Sequence, residues 1–202
     1  YWKEKLEGME QMELPTDRPR PAAPRYTSAR QPFSIDPQTA EKIYDLGQQE
    51  EATLFMTLMA AFQHLLGCYS GQDDVVVGSP IANRTRTELE GVVGFFVNTL
   101  VMRTDLLGDL SFRELLRRVR QTCLDAYAHQ DLPFEQLVEQ LQPARDPSRS
   151  PLFQVMLAWQ NVPVEPLALP GVRIEPVEVE TAAAKFDLSV GLQETASGLA
   201  GS

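Results

Sequence analysis

Cysteine and histidine are the scarcest chemistry in this 202-residue chain, with two of each: Cys68, Cys123, His64 and His129. Two cysteines make no disulfide scaffold, and a reducing, cytoplasmic compartment is the expectation. The histidines stand far apart and have no zinc-ligand spacing to one another, so no metal site is expected. Positive charge is short as well. Eighteen Lys and Arg face 28 Asp and Glu, a net of −10, and nucleic acid, whose phosphates demand a cationic footprint, is excluded as a partner. The longest apolar stretch, 54–62, is too short to cross a bilayer, and no signal-type segment opens the chain, so no membrane partner is expected. Catalytic signatures are missing too. Gly78-Ser79-Pro80 is not the G-x-S-x-G elbow of a hydrolase, and neither a phosphate-cradling glycine loop nor a dinucleotide fingerprint occurs.

What is present describes one ordinary globular unit, 43% apolar and 23% charged, long enough to bury a core without cross-links. Trp2, Leu6 and Met9 have the spacing of a short amphipathic helix. Prolines at 15, 19, 21, 24, 32 and 37 make the next stretch a connecting arm, with a short strand near 26–33. A helix is expected from Pro37, with Ala40, Ile43 and Tyr44 at helical spacing. A central helix, apolar around most of its girth, is expected from Thr53 to Leu66. Val75–Val77 reads as a buried strand ending at Gly78–Pro80, and Gly94–Arg103 as a second strand. Ser111 and Glu114 form a capping box that opens a long helix. A further helix is expected after Asp131 as its N-cap, with Pro133 in the first turn. Strands are predicted at 153–160, 172–180 and 185–194, the last with Phe186, Leu188, Val190 and Leu192 on one face. Interspersed helices and strands imply an α/β or mixed α+β fold around one sheet.

The bare inventory offers few candidates. His129-Gln130-Asp131 holds an imidazole and a carboxylate, but at a helix entry Asp131 reads as a cap. Arg145-Asp146-Pro147-Ser148-Arg149-Ser150-Pro151 reads as a rigid loop closed by its own ion pairs. Three stretches gain meaning together. Gly94-Phe95-Phe96-Val97-Asn98-Thr99 through Arg103 resembles the "GxFVNTxxxR" motif of nonribosomal peptide synthetase condensation domains. His129-Gln130-Asp131-Leu132-Pro133-Phe134-Glu135 resembles their "HQDxPFE" motif. Arg145, Asp146, Ser148 and Arg149 match "RDxSRNPL", with Ser150 in place of Asn.

The resemblance implies a chloramphenicol acetyltransferase-like lobe, a mixed β-sheet flanked by helices, one of two such lobes that enclose a tunnel. In that family, carrier proteins present phosphopantetheine-tethered substrates, and an acceptor amine attacks a donor thioester to form an amide. The HHxxxDG motif belongs to the first lobe and is absent here, so no catalytic residue is expected in this chain and the isolated piece is expected to be inactive. Residues 1–36 are expected to be the inter-lobe arm, proline-rich from 14, and 37–202 the C-terminal lobe, truncated at its end.

Ser79, Asn98, Gln160 and Asn161 are the tunnel candidates, each able to hydrogen-bond a pantetheine amide or thioester oxygen. For each, ordinary strand-end or loop hydrogen bonding is the alternative, and Asn98 in particular can instead satisfy buried backbone. Gly94, Phe96, Thr99, Arg103, His129, Gln130, Asp131, Pro133, Phe134, Glu135, Arg145, Asp146 and Arg149 are expected to be structural, with Arg84 and Arg103 as ion-pair partners. No cofactor is expected to bind directly. Implied partners are the N-terminal lobe, peptidyl and aminoacyl carrier proteins and an adjacent adenylation domain, with an apolar face exposed where the first lobe docks. An epimerisation or heterocyclisation relative, or a non-catalytic docking platform, remains open.

Overall fold

The computed structural model describes residues 1–21, 27–143, 146–160, 171–175, 177 and 183–202. Six strands form one mixed sheet in the order β1-β6-β5-β4-β2-β3. In sequence they are β1 (Phe33–Ile35), β2 (Asp74–Ile81), β3 (Asn98–Asp105), β4 (Val155–Gln160), β5 (Leu188–Thr195) and β6 (Gly198–Gly201). The pairs β2–β4 and β4–β5 run parallel; β1–β6, β2–β3 and β5–β6 run antiparallel. The helices are α1 (Trp2–Leu6), α2 (Pro37–Gln49), α3 (Leu54–Ser70), α4 (Phe112–Ala128) and α5 (Phe134–Leu141). None among the described residues is by itself long and apolar enough to cross a membrane.

Each long helix begins where its cap chemistry dictates. Asp36 accepts the Thr39 amide ahead of Pro37, and Thr53 accepts the Met56 amide to open α3. Ser111 and Glu114 satisfy one another's backbone donors at the start of α4. α3 runs one turn beyond Leu66 and stops at Gly71, whose φ of +69° is the left-handed conformation that ends helices. Val75, Val76 and Val77 are all buried. Successive strand residues face opposite sides, so the sheet is covered on both faces there. The amide of Gln63 on α3 donates to the Met102 carbonyl of β3 at 2.9 Å, tying the central helix to the sheet.

The amphipathic helix expected at the start of the chain is α1, with Trp2 and Leu6 buried in the core and Met12 buried after it. Arg103 holds this segment down by donating to the Lys5 and Glu7 carbonyls at 2.9 and 2.7 Å. The strand expected near 26–33 appears instead at 33–35, with Thr27 making an isolated bridge to Ala183.

β3 begins at Asn98 rather than Gly94, since its partner β2 ends at Ile81, opposite Asn98. Among the described residues, no strand pairs with 94–97. Of the strand expected at 172–180, residues 172–175 and 177 lie in no named strand, and the others lie outside the described residues. Of the face expected on β5, only Leu192 is buried. β6, with glycine at both ends, has no strand-like pattern in the sequence that would reveal it.

Candidate functional site

β2, β4 and β5 run parallel to one another, and β3 runs back beside β2, so register brings the candidates to one end of the sheet. Ile81 lies opposite Asn98, Pro80 opposite Thr99 and Ser79 opposite Leu100. Gln160 ends β4 opposite Gln193. This is the carboxyl end of the parallel strands, where open α/β sheets place their ligands. Ser79 is only 2% exposed, and Gln160 is exposed. Asn161 and Arg145 lie outside the described residues.

β2 and β4 share one registered pair, Gly78 with Met156, whereas β4 and β5 share six. Pro80, two residues beyond the shared pair, has no amide to donate. At Gly78 itself the strands are held from below by an aromatic ring. A Cβ there would lie 2.2 Å from the Phe153 ring, so only glycine admits this contact. Phe153 in turn packs on Phe134 and Phe186, with centroids 5.5 and 5.2 Å apart.

Asn98 uses its whole amide inside the chain. Its Nδ2 donates to the Gln130 and Leu132 carbonyls, both at 2.9 Å, and its Oδ1 accepts the Thr99 and Phe134 amides at 2.8 and 3.0 Å. This pattern supports the backbone-satisfying reading of Asn98 over the ligand-binding one. It also corrects the expected cap of α5. Pro133, not Asp131, stands at the N-cap position and offers no side-chain bond. The oxygen that caps the Phe134 amide comes from β3 instead, which leaves Asp131 exposed in the preceding turn.

Several other motif residues make contacts within the chain as well. His129 stacks on Tyr1 with ring centroids 4.0 Å apart, and its Nδ1 lies 2.8 Å from the Asp125 carbonyl. Trp2 Nε1 donates to the His129 carbonyl at 3.0 Å, and the Gln130 side chain donates to the Tyr127 carbonyl at 2.9 Å. Glu135 sits in the first turn of α5, where the helix dipole favours an anion.

Arg103 pairs with Asp74, as expected, at 2.8 Å. Its charge is held more firmly by that hydrogen bond, against the opposing effect of desolvation. Arg149 reaches Glu13 at 2.8 Å and Asp146 at 3.5 Å. Asp146 accepts the Ser148 hydroxyl and amide, which hold its carboxyl below the usual range. Arg20 clamps Asp187 and donates to the Ser148 carbonyl at 3.2 Å. Thus the loop closes partly on its own ion pair and partly on the arm.

Arg84 is not the ion-pair partner expected among the described contacts. Its guanidinium lies 4.2 Å above the Phe96 ring and donates to the Leu89 and Glu90 carbonyls. Gly94 lets the same ring approach, since a Cβ there would lie 3.1 Å from it. The loop pinned in this way shows its apolar residues to solvent. Val93 is 101% and Phe95 91% exposed, and Val92 and Val97 are exposed beside them. Neither Phe153 nor Phe186 stands out as a site residue in the sequence, because packed rings look like any core residue in a string.

Two surface clefts, of about 650 and 510 Å³, lie away from this end. The first is lined by arm and turn residues around Arg149, and the second by Lys5, Asp74, Arg103 and Asp105 near the start of β2 and end of β3. Both are lined mainly by charged or polar residues, and neither contains Ser79, Asn98 or Gln160. No group of three or more His, Cys, Asp or Glu residues suited to a metal comes together among the described residues.

The sequence profile of the Condensation domain family matches residues 1–200. The chain is 54% identical over 205 residues to one of the linear gramicidin synthase proteins of Brevibacillus parabrevis, covering 99% of this chain and 4% of that protein. It is 47% identical to malpinin synthetase of Mortierella alpina, covering 100% of this chain and 3% of that protein. The chain therefore spans only a few per cent of the length of these relatives. Among solved structures, the X-domain in complex with OxyB from teicoplanin biosynthesis is 30% identical with a TM-score of 0.87, covering 99% of this chain and 45% of that one. A four-domain nonribosomal peptide synthetase bound to AMP and glycine has the same fold, with a TM-score of 0.89 at 24% identity, covering 99% of this chain and 16% of that one.

Proposed function

The chain belongs to the Condensation domain family, and from that premise we propose that it is the second lobe of a condensation domain that joins carrier-bound substrates through an amide bond. The observation that carries this reading is the pinned loop at the candidate end. Val92, Val93, Phe95 and Val97 stand in solvent while Arg84 holds the backbone beneath them. An apolar rim fixed in place is suited to a permanent partner, and the partner proposed is the N-terminal lobe. The 45% coverage of the X-domain chain accords with one half of a two-part body.

In this reading the activated thioester on a donor carrier meets the amine on an acceptor carrier in a tunnel between lobes. Both substrates arrive on phosphopantetheine arms. Holding two tethered reactants in line removes most of the entropic barrier, so the shape of the wall is itself catalytic. This chain has no HHxxxDG motif; the histidine that orients or deprotonates the amine comes from the first lobe. Ser79, Gln160 and Asn161 are the residues proposed to hydrogen-bond the arm or the thioester oxygen. The arm between lobes is then residues 1–36, proline-rich from 14, and the body that of residues 37–202. An adjacent adenylation domain and a cytoplasmic location complete the proposal.

The test joins this chain to a first lobe bearing both histidines and supplies donor- and acceptor-loaded carriers, with the amide followed by mass spectrometry. Amide from the two-lobe protein and none from this chain alone is the expected result. Turnover by this chain alone would overturn the placement of the base. A second reading, a docking platform, is favoured by the likeness to an X-domain solved with OxyB bound. It prevails if the two-lobe protein binds partner proteins and forms no amide.

A further inference from the structure

The outward flank of α3 carries a pair of side chains that the proposed function leaves unused. His64 and Cys68 are four residues apart, which places them one above the other on one helix face. Both are exposed. Cys68 Sγ lies 3.8 Å from His64 Nε2. We propose that His64 and Cys68 form a two-point chelate for a thiophilic divalent cation of the zinc class, with its remaining positions open to water.

The geometry is nearly that of the loaded site. Zinc sits about 2.3 Å from a thiolate and about 2.0 Å from an imidazole nitrogen, so a tetrahedral angle puts the donors about 3.5 Å apart. The observed 3.8 Å needs only a small rotation of either side chain. Location favours a cation as well. Cys68 lies in the last turn of α3, which ends at Ser70, and unpaired carbonyls there carry partial negative charge. Set against each other the two histidines show no ligand spacing, whereas His64 set against Cys68 does.

Binding exchanges one ion for one proton. The thiol S–H bond breaks, sulfur and Nε2 each give a lone pair to the metal, and the released proton passes to buffer. Cys123 is the built-in reference. It is wholly buried, and burial pushes its thiol up to about 12, so it gives up no proton near neutral pH and reaches no solvent ion.

The test alkylates the reduced chain with iodoacetamide, with and without zinc chloride, and maps both cysteines by mass spectrometry. Zinc is expected to slow modification of Cys68 by about tenfold or more, because a thiolate that binds the metal is no longer a free nucleophile. In His64→Ala, whose side chain is exposed and leaves the core untouched, that protection should vanish. Proton release on zinc titration, measured in a weakly buffered solution, should approach one per chain and disappear in Cys68→Ser. Equal protection in the parent and His64→Ala, or no protection in either, overturns the chelate. Zinc release of protons that persists in Cys68→Ser does the same.

Discussion

Asn98 is where one side chain holds the most backbone together, so its truncation is the sharpest trial of the structure. Asn98→Ala removes four hydrogen bonds, to the carbonyls of Gln130 and Leu132 and the amides of Thr99 and Phe134. The residue is 8% exposed, so water replaces those partners poorly. At a net of about 1 kcal/mol for each bond, reduced somewhat by access at the rim, the loss is about 3 kcal/mol. For a domain of this length about 2–4 °C accompanies each kcal/mol, which lowers the melting temperature by about 6–12 °C.

Thermal unfolding followed by circular dichroism reads the total, and hydrogen exchange reads the location. The Phe134 amide should lose protection while amides in the middle of α4 keep theirs. Gln130→Ala is the control, because among the described residues its side chain bonds to the Tyr127 carbonyl one turn away and to no other group. A cost of less than about 1 kcal/mol for Asn98→Ala, or a cost equal to the control, would refute the claim that β3 caps α5.

Gly78→Ala drives a methyl group into the Phe153 ring, with built contacts of 2.2 to 2.7 Å; overpacking of about 1–3 kcal/mol is expected in urea unfolding, and Gly91→Ala, which meets nothing, should be neutral by comparison. Replacing Val93 and Phe95 with Ser should reduce binding of a hydrophobic dye and self-association at micromolar concentration, as read by light scattering, without lowering the melting temperature. Asp36, Glu50, Glu114 and Asp146 are held below the usual carboxylate range, chiefly by hydrogen bonds from Thr39, Arg113, Ser111 and Ser148 respectively. Depressed folded values contribute stability that is present above the unfolded values and lost as pH falls through the folded ones. Stability should therefore drop below the ordinary carboxylate range, less steeply in Glu50→Gln.

Helix positions were legible because helices are written locally. Asp36, Thr53 and Ser111 each stand at the entry of the helix they cap, and apolar spacing over the following turns shows which face is buried. Strand limits were less legible because a strand ends where its neighbour does. Gly94–Val97 has the apolar, β-branched content of a strand, yet β2 stops at Ile81 and leaves it unpaired. α5 failed at its cap for a related reason. A search for a local cap finds Asp131, whereas the bond comes from a residue 36 positions earlier. Similarly, Arg84 looks like any surface arginine until Phe96 lies beneath it.

The same distinction bears on the three motifs, whose described residues hold distant parts of the chain together. Asn98 joins "GxFVNT" to "HQDxPFE", and Phe134 of the latter packs on Phe153, just beyond the "RDxSR" loop. Phe153 lies against Gly78, where β2 and β4 share their registered pair. Contacts thus link the first two motifs to Phe153 and to Gly78, the residue before Ser79. Substitution at either end of such a contact should cost stability, because each end must match a partner far away in sequence. If they instead acted on substrate directly, substitutions at Phe153 or Asn98 in the two-lobe protein would change amide formation while leaving its unfolding curve unmoved. The contacts predict the reverse: activity and melting temperature should fall together, and the smaller truncation Phe153→Leu should retain more of both than Phe153→Ala.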